Sequence, residues 1–214
     1  MPSQRPSTPR GYLDSQKSRA KNSASKTGIP AGELLQLHFH RRLIARVFHG
    51  DEASNWVLKG GQALLVRWSA ARYSTDVDLL STEDSTIAAV EALKTAAALR
   101  LDDAIWFSHL STSEQTHIER PTRKVVFMAM FENASLGYRV PVDVVTSGQT
   151  PRGTITTEPL KPPFESHCAP WPEVRMFRSK TTSRKRSARC TSATQSGEIH
   201  PRATKILWIS HYSL

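Results

Sequence analysis

Cysteine is nearly absent. The 214 residues hold two, Cys168 and Cys190, which make neither a disulfide framework nor metal-ligand spacing, so a reducing, cytoplasmic setting is expected. No apolar run approaches the roughly 18 residues that span a bilayer, and the first residues lack the apolar core of a secretory signal. The expectation is a soluble protein with no membrane partner. Acidic residues are scarce at both ends. Residues 1–30 carry six Lys or Arg against Asp14 alone, and 178–214 carry eight against Glu198 alone. Of the chain's 29 basic and 19 acidic residues, this leaves 15 and 17 for 31–177. The net charge of +10 therefore belongs to the ends. A globally basic nucleic-acid-binding domain does not fit this distribution, although a basic tail can hold RNA through its phosphates.

Apolar residues are scarce in 1–29 as well. That stretch is rich in Ser, Pro, Lys and Arg and reads as a disordered basic arm. The first helix is expected from about Glu33 to His49, with Leu35, Phe39, Leu43 and Val47 forming a stripe and Arg41, Arg42 and Arg46 lying off it. His38 and His40 diverge at a two-residue spacing and read as surface histidines. An Ala-rich helix is expected from about Glu83 to Arg100, burying Ile87, Val90, Leu93 and Ala97. Three strand-like runs follow at Ala104–Leu110, Lys124–Phe131 and Tyr138–Val145, before a Pro-rich, loop-like stretch at 149–172.

The chain is organised around Trp56–Ser81. A short apolar piece leads into Gly60-Gly61, an amphipathic helix carries Leu64, Leu65 and Arg67, and after a polar loop comes a strand with Asp76-Val77-Asp78-Leu79-Leu80. Strand alternation puts Asp76 and Asp78 on one face, where two carboxylates repel each other unless a cation neutralises them. Hard divalent ions such as Mg2+ take such oxygen ligands. Paired glycines let backbone approach a bulky anion, and a helix starting after them aims free N–H groups at it. Each piece alone has an ordinary reading, as a turn or a solvated strand rim. Together they describe a site for a metal-bound triphosphate.

The run Leu58-Lys59-Gly60-Gly61, Ala63, Leu64, Arg67, Arg72, Ser74, Asp76-Val77-Asp78-Leu79 resembles the signature of the AbiEii-type nucleotidyltransferases. These are polymerase-beta-like toxins of bacterial toxin–antitoxin and abortive-infection systems. The resemblance implies an α/β (α+β) core with a small mixed sheet flanked by helices, occupying 31–177 between disordered basic ends. It also implies nucleotidyl transfer from a nucleoside triphosphate to an RNA acceptor, commonly the tRNA 3′ end, with an antitoxin as partner. Asp76 and Asp78 would hold two Mg2+ ions and Asp143 one of them, while Lys59, Gly60, Gly61, Arg67 and Ser74 would face the triphosphate. Asp143 sits in a valine run beside Pro141, which by itself suggests an edge strand facing water. The family instead places a third carboxylate on a strand beside the Asp-x-Asp strand.

Two further family segments are missing. One supplies a lysine from a Glu-Asp-x-hydrophobic-Ala-(Asp/Glu)-Lys run, the other an aspartate from an Arg-x-Lys-Asp-Leu-x-Asp-Leu run. Residues 178–214 have no helical stripe, and between Arg178 and His200 their apolar side chains are Ala188, Cys190, Ala193 and Ile199. This tail reads as disordered and outside the family. Codons chosen for Arg178 onwards and read one base earlier give PVEDHVAEKVCAM, and those around 201–209 give STRYKDLVDL. Both missing segments return in order, which points to a one-nucleotide frameshift near 177/178. The alternatives are a catalytically dead remnant that only binds nucleotide, RNA or antitoxin, and an RNA-binding protein working through its basic ends.

Overall fold

The computed structural model describes residues 6–68, 71, 73–115, 122–146, 153–166 and 170–178, all within one compact unit, 1–179. Arg72, both cysteines and the tail from residue 179 lie outside the described residues, and with them the frameshift.

Seven strands form one mixed sheet: β1 (Trp56–Lys59), β2 (Val77–Ser81), β3 (Ile105–Gln115), β4 (Thr122–Phe131), β5 (Ala134–Thr146), β6 (Ile155–Pro159) and β7 (Glu173–Phe177), in the order β3-β4-β5-β2-β1-β7-β6. β2–β5 and β1–β7 are parallel pairs and the other neighbours antiparallel. The fold is thus mixed α/β, as the sequence implies. The sheet reaches further than expected, because β6 forms inside the Pro-rich stretch and β7 beyond it. β5 is interior, between β4 and β2, so the edge reading of Asp143 does not hold. Pro141 removes one ladder donor there without making the strand an edge.

Two irregularities set the register on the far side of the sheet. Near Leu110 the β3–β4 pairing slips by one residue, from His109↔Phe127 to Ser111↔Val126. Such a slip exchanges the faces of everything beyond it. Between Met130↔Ser135 and Met128↔Arg139, β4 contributes one residue and β5 three, with Gly137 at a φ of 77° that suits glycine.

Four helices pack with the sheet: α1 (Pro9–Thr27), α2 (Ala31–Val47), α3 (Gly60–Arg67) and α4 (Thr86–Ala98). α4 starts at its Ser85 cap, whose Oγ accepts from the Ala88 N–H at 3.1 Å. This lies later than expected, so Glu83 and Asp84 precede the helix. Its buried side is Ala89, Val90, Leu93 and Ala97. Ile87, expected inside, is 60% exposed, since it lies off the face that Ala89, Val90, Leu93 and Ala97 define.

The largest correction concerns residues 1–29. Most of them form α1, not a disordered arm. Thr8 caps it by accepting from the Gly11 N–H at 3.1 Å, Pro9 opens it, and Gly28 closes it at a φ of 73°. Tyr12, Gln16 and Ala20, spaced four apart, are its buried residues. Three positions suffice because Tyr12 reaches deep: its ring lies 5.7 Å from Phe131 and its hydroxyl 3.2 Å from His38 Nε2.

α2 corrects the second expectation. His38, His40, Arg42 and Arg46 are fully enclosed, and Arg41 nearly so. α2 lies among α1, α4 and β5, and its polar groups find partners far away in sequence. Arg42 and Arg46 both pair with Asp103 (Arg42 Nε at 2.6 Å, Arg46 at 2.7 and 2.9 Å). Arg41 donates to the carbonyls of Lys161 and Leu65. His38 stacks 5.1 Å from Phe164. Burial above all holds His38 down at about 3 and His40 at about 4.

Candidate active site

The strand register builds the site. Lys124 on β4 lies opposite Asp143 on β5, Asp143 opposite Asp78 on β2, and Asp78 opposite Lys59 on β1. Across four adjacent strands the row reads Lys-Asp-Asp-Lys on one face. Asp76 lies two residues before Asp78, just ahead of β2. Directly opposed like charges about 5 Å apart destabilise a sheet, and Asp78 records it. Asp78 is pushed above the ordinary 3.8 by burial first, then by the Asp143 and Asp76 charges, against Lys59 and Lys124. Asp143 is raised by burial and by Asp76, with Lys124 opposing.

The glycines serve this row directly. Gly60, at a φ of 59°, turns β1 into α3, and a Cβ there would meet Asp78 Oδ2 at 1.8 Å. A Cβ on Gly61 would meet the Ser74 side chain at 2.5 Å. The missing side chains therefore make room for Asp78 and Ser74 themselves, closer in than the ligand the sequence suggests. Ser74 Oγ donates to the Asp76 carbonyl at 3.1 Å and its own carbonyl accepts from Gln62 at 3.1 Å. The Gln62 amide lies 2.9 Å from His40 Nδ1, and Gln36 lies 3.0 Å from His40 Nε2. An imidazole held neutral by burial thus joins α2 to the loop before Asp76.

Lys59, Gly60, Gly61, Ser74, Asp76, Asp78 and Asp143 are brought together. Arg67 is engaged elsewhere. Its guanidinium donates to the Phe177 carbonyl at 2.6 Å and Thr156 Oγ1 at 2.7 Å, and lies 3.6 Å from Glu158. It ties α3 to β6 and β7, a partnership invisible while 149–172 reads as loop. Sequence reasoning missed His40, Gln62, Lys124 and Gln115, whose amide donates to Asp143 Oδ1 at 3.2 Å. Gln115 and Lys124 reach the site only through the two register shifts, which no local pattern announces.

Among the described residues, no three His, Cys, Asp or Glu side chains are gathered closely enough to hold a metal ion. The donor set nevertheless suits a hard cation: all-oxygen, half-buried, with two carboxyls raised by burial and by their neighbours' charge. No helix among the described residues is long and apolar enough to cross a membrane.

The family model described as AbiEii, "Nucleotidyl transferase AbiEii toxin, Type IV TA system", matches residues 42–181. The chain belongs to this family. The AbiEii match spans the row and all its supporting residues except Gln36 and His40, and ends close to the last described residue. No curated protein matches the chain. Two solved Helicobacter pylori structures are similar. JHP933 is 13% identical with a TM-score of 0.39, covering 67% of this chain and 52% of its own. The second is 14% identical with a TM-score of 0.38, covering 67% of this chain and 53% of its own. This AbiEii chain thus spans about half the length of the solved chains it matches.

Proposed function

We propose that this chain is a Mg2+-dependent nucleotidyltransferase, the toxin of a toxin–antitoxin pair, moving a nucleotidyl group from a nucleoside triphosphate to an RNA acceptor such as the tRNA 3′ end. The observation that carries this reading is the register of Asp78 with Asp143 beside Asp76, in a family of nucleotidyltransferases. Asp76, Asp78 and Asp143 would hold the metal. Bound there, Mg2+ would neutralise phosphate charge and lower the pKa of the acceptor hydroxyl. Lys59 and the N–H groups at the start of α3 would face the triphosphate, with Gly60, Gly61 and Ser74 shaping the approach. Asp143 would also accept the hydroxyl proton. A cognate antitoxin is the expected protein partner.

One observation favours a second reading. The family match ends at residue 181, and the family's lysine and aspartate segments are missing beyond it. The chain would then be a remnant that binds nucleotide, RNA or antitoxin without transfer, unless a restored frame supplies those segments. Each α-labelled nucleoside triphosphate, incubated with Mg2+ and total tRNA, separates these readings. Labelled RNA that disappears in Asp78→Asn supports the enzyme. RNA retained without label supports the remnant. Sequencing through the 177/178 codons tests the frameshift.

A further inference from the structure

Lys124 belongs to no motif of the sequence and to no expected ligand set. Yet register sets it opposite Asp143, and its Nζ lies 3.9 Å from Asp76 Oδ2, both side chains being 36% exposed. Lys59 occupies the other end of the row, opposite Asp78. An ammonium and a divalent ion are alternatives for the same oxygens: both neutralise the row, and each repels the other.

We propose that Lys124 is the resident counter-cation of the carboxylate row and competes with the divalent ion for it. The Lys124–Asp76 ion pair is exchanged for a metal–Asp76 bond when the site loads. This rests on Asp76, Asp78 and Asp143 being metal ligands. In the metal-free protein Lys124 offsets the repulsion between Asp76 and Asp143. On loading, it releases the Asp76 carboxylate and stays at the rim as a cation beside the metal. Loading is thereby weakened while the site is empty of phosphate, and the divalent ion arrives most readily with a nucleoside triphosphate, whose negative charge satisfies both cations. Lys124 is set apart from Lys59 by its ion pair with Asp76.

The test uses Mn2+ titrated into the metal-free full chain by calorimetry, in the absence of nucleotide, with thermal melting alongside. Lys124→Gln should bind Mn2+ on the order of tenfold more tightly than the parent, the effect expected when one unit charge is removed beside a divalent ion in a largely aqueous setting. It should melt lower than the parent without metal and gain more on adding Mn2+. Lys124→Arg keeps the charge and should behave as the parent. Asp78→Asn should lose Mn2+ binding. Unchanged or weaker Mn2+ binding in Lys124→Gln, with Asp78→Asn still deficient, overturns the exchange while leaving the metal site standing. Absence of Mn2+ binding in the parent and in Lys124→Gln alike overturns both.

Discussion

Two charged clusters lie in the described part of this chain, and they are built on opposite principles. Arg42, Arg46 and Asp103 are enclosed completely, with ion-pair side chains 0% exposed. The excess positive charge is spread over the carbonyls of Leu99, Ile105, Pro170 and Arg42, with the Trp171 and Phe107 rings against the guanidiniums. Asp76, Asp78 and Asp143 are half-buried, Asp78 opposes Asp143 in register with Asp76 just ahead of the strand, and the group draws on Lys124 and Gln115. Charge that serves the fold is surrounded by partners from several elements. Under the proposed function, charge left in repulsion on a rigid sheet is matched by a cation from outside.

Breaking the enclosed cluster should cost most. Asp103→Ala leaves two guanidiniums buried without their carboxylate and should destabilise by about 3–5 kcal/mol, read from the urea midpoint; a loss under about 1 kcal/mol would place the cluster at the surface in solution. α1 closes the same side of the molecule. Tyr12→Ala should cost about 3 kcal/mol, and deleting 1–28 at least as much, against the near-zero effect expected of a disordered arm. Gly60→Ala attacks the open cluster. Its positive φ costs about 1–2 kcal/mol in a side-chain-bearing residue, and the new Cβ must push Asp78 aside, so transfer activity should fall more steeply than stability.

The last expected effect is a slope. Unfolded, His38 takes its proton near 6.5, but folded it does so only near 3. Its contribution is whole above pH 6.5 and lost as acid is added, by about 1.4 kcal/mol per pH unit. His40, held at about 4, acts in the same direction, while the raised Asp78 and Asp143 act in the opposite one. His38→Phe keeps a ring against Phe164 and should flatten the acid limb of the stability curve by that slope. An unchanged limb would mean that His38 is wet.

The site's centre was legible because strand alternation and the glycine turn are local signals, whereas Asp143 was marked out by the family resemblance, its valine run beside Pro141 suggesting an edge strand instead. Its support was not. Gln115 and Lys124 depend on bulges, and Arg67's commitment on strands that condense from a Pro-rich stretch. α2 misled in another way: a helix packed on several sides buries residues off its apolar stripe, and Asp103 lies 57 residues from Arg46 in the chain. α1 carried readable caps, Thr8-Pro9 and Gly28, but its composition concealed them.

Melting of the parent and of Asp78→Asn, with and without Mn2+, addresses the contrast between the clusters most directly. The account predicts that metal-free Asp78→Asn is at least as stable as the parent, since a repelling charge has been removed. The parent should gain stability with Mn2+ while the variant gains none. A variant that is destabilised without metal, yet still responds to Mn2+, would show that Asp78 serves the fold and that the metal binds elsewhere.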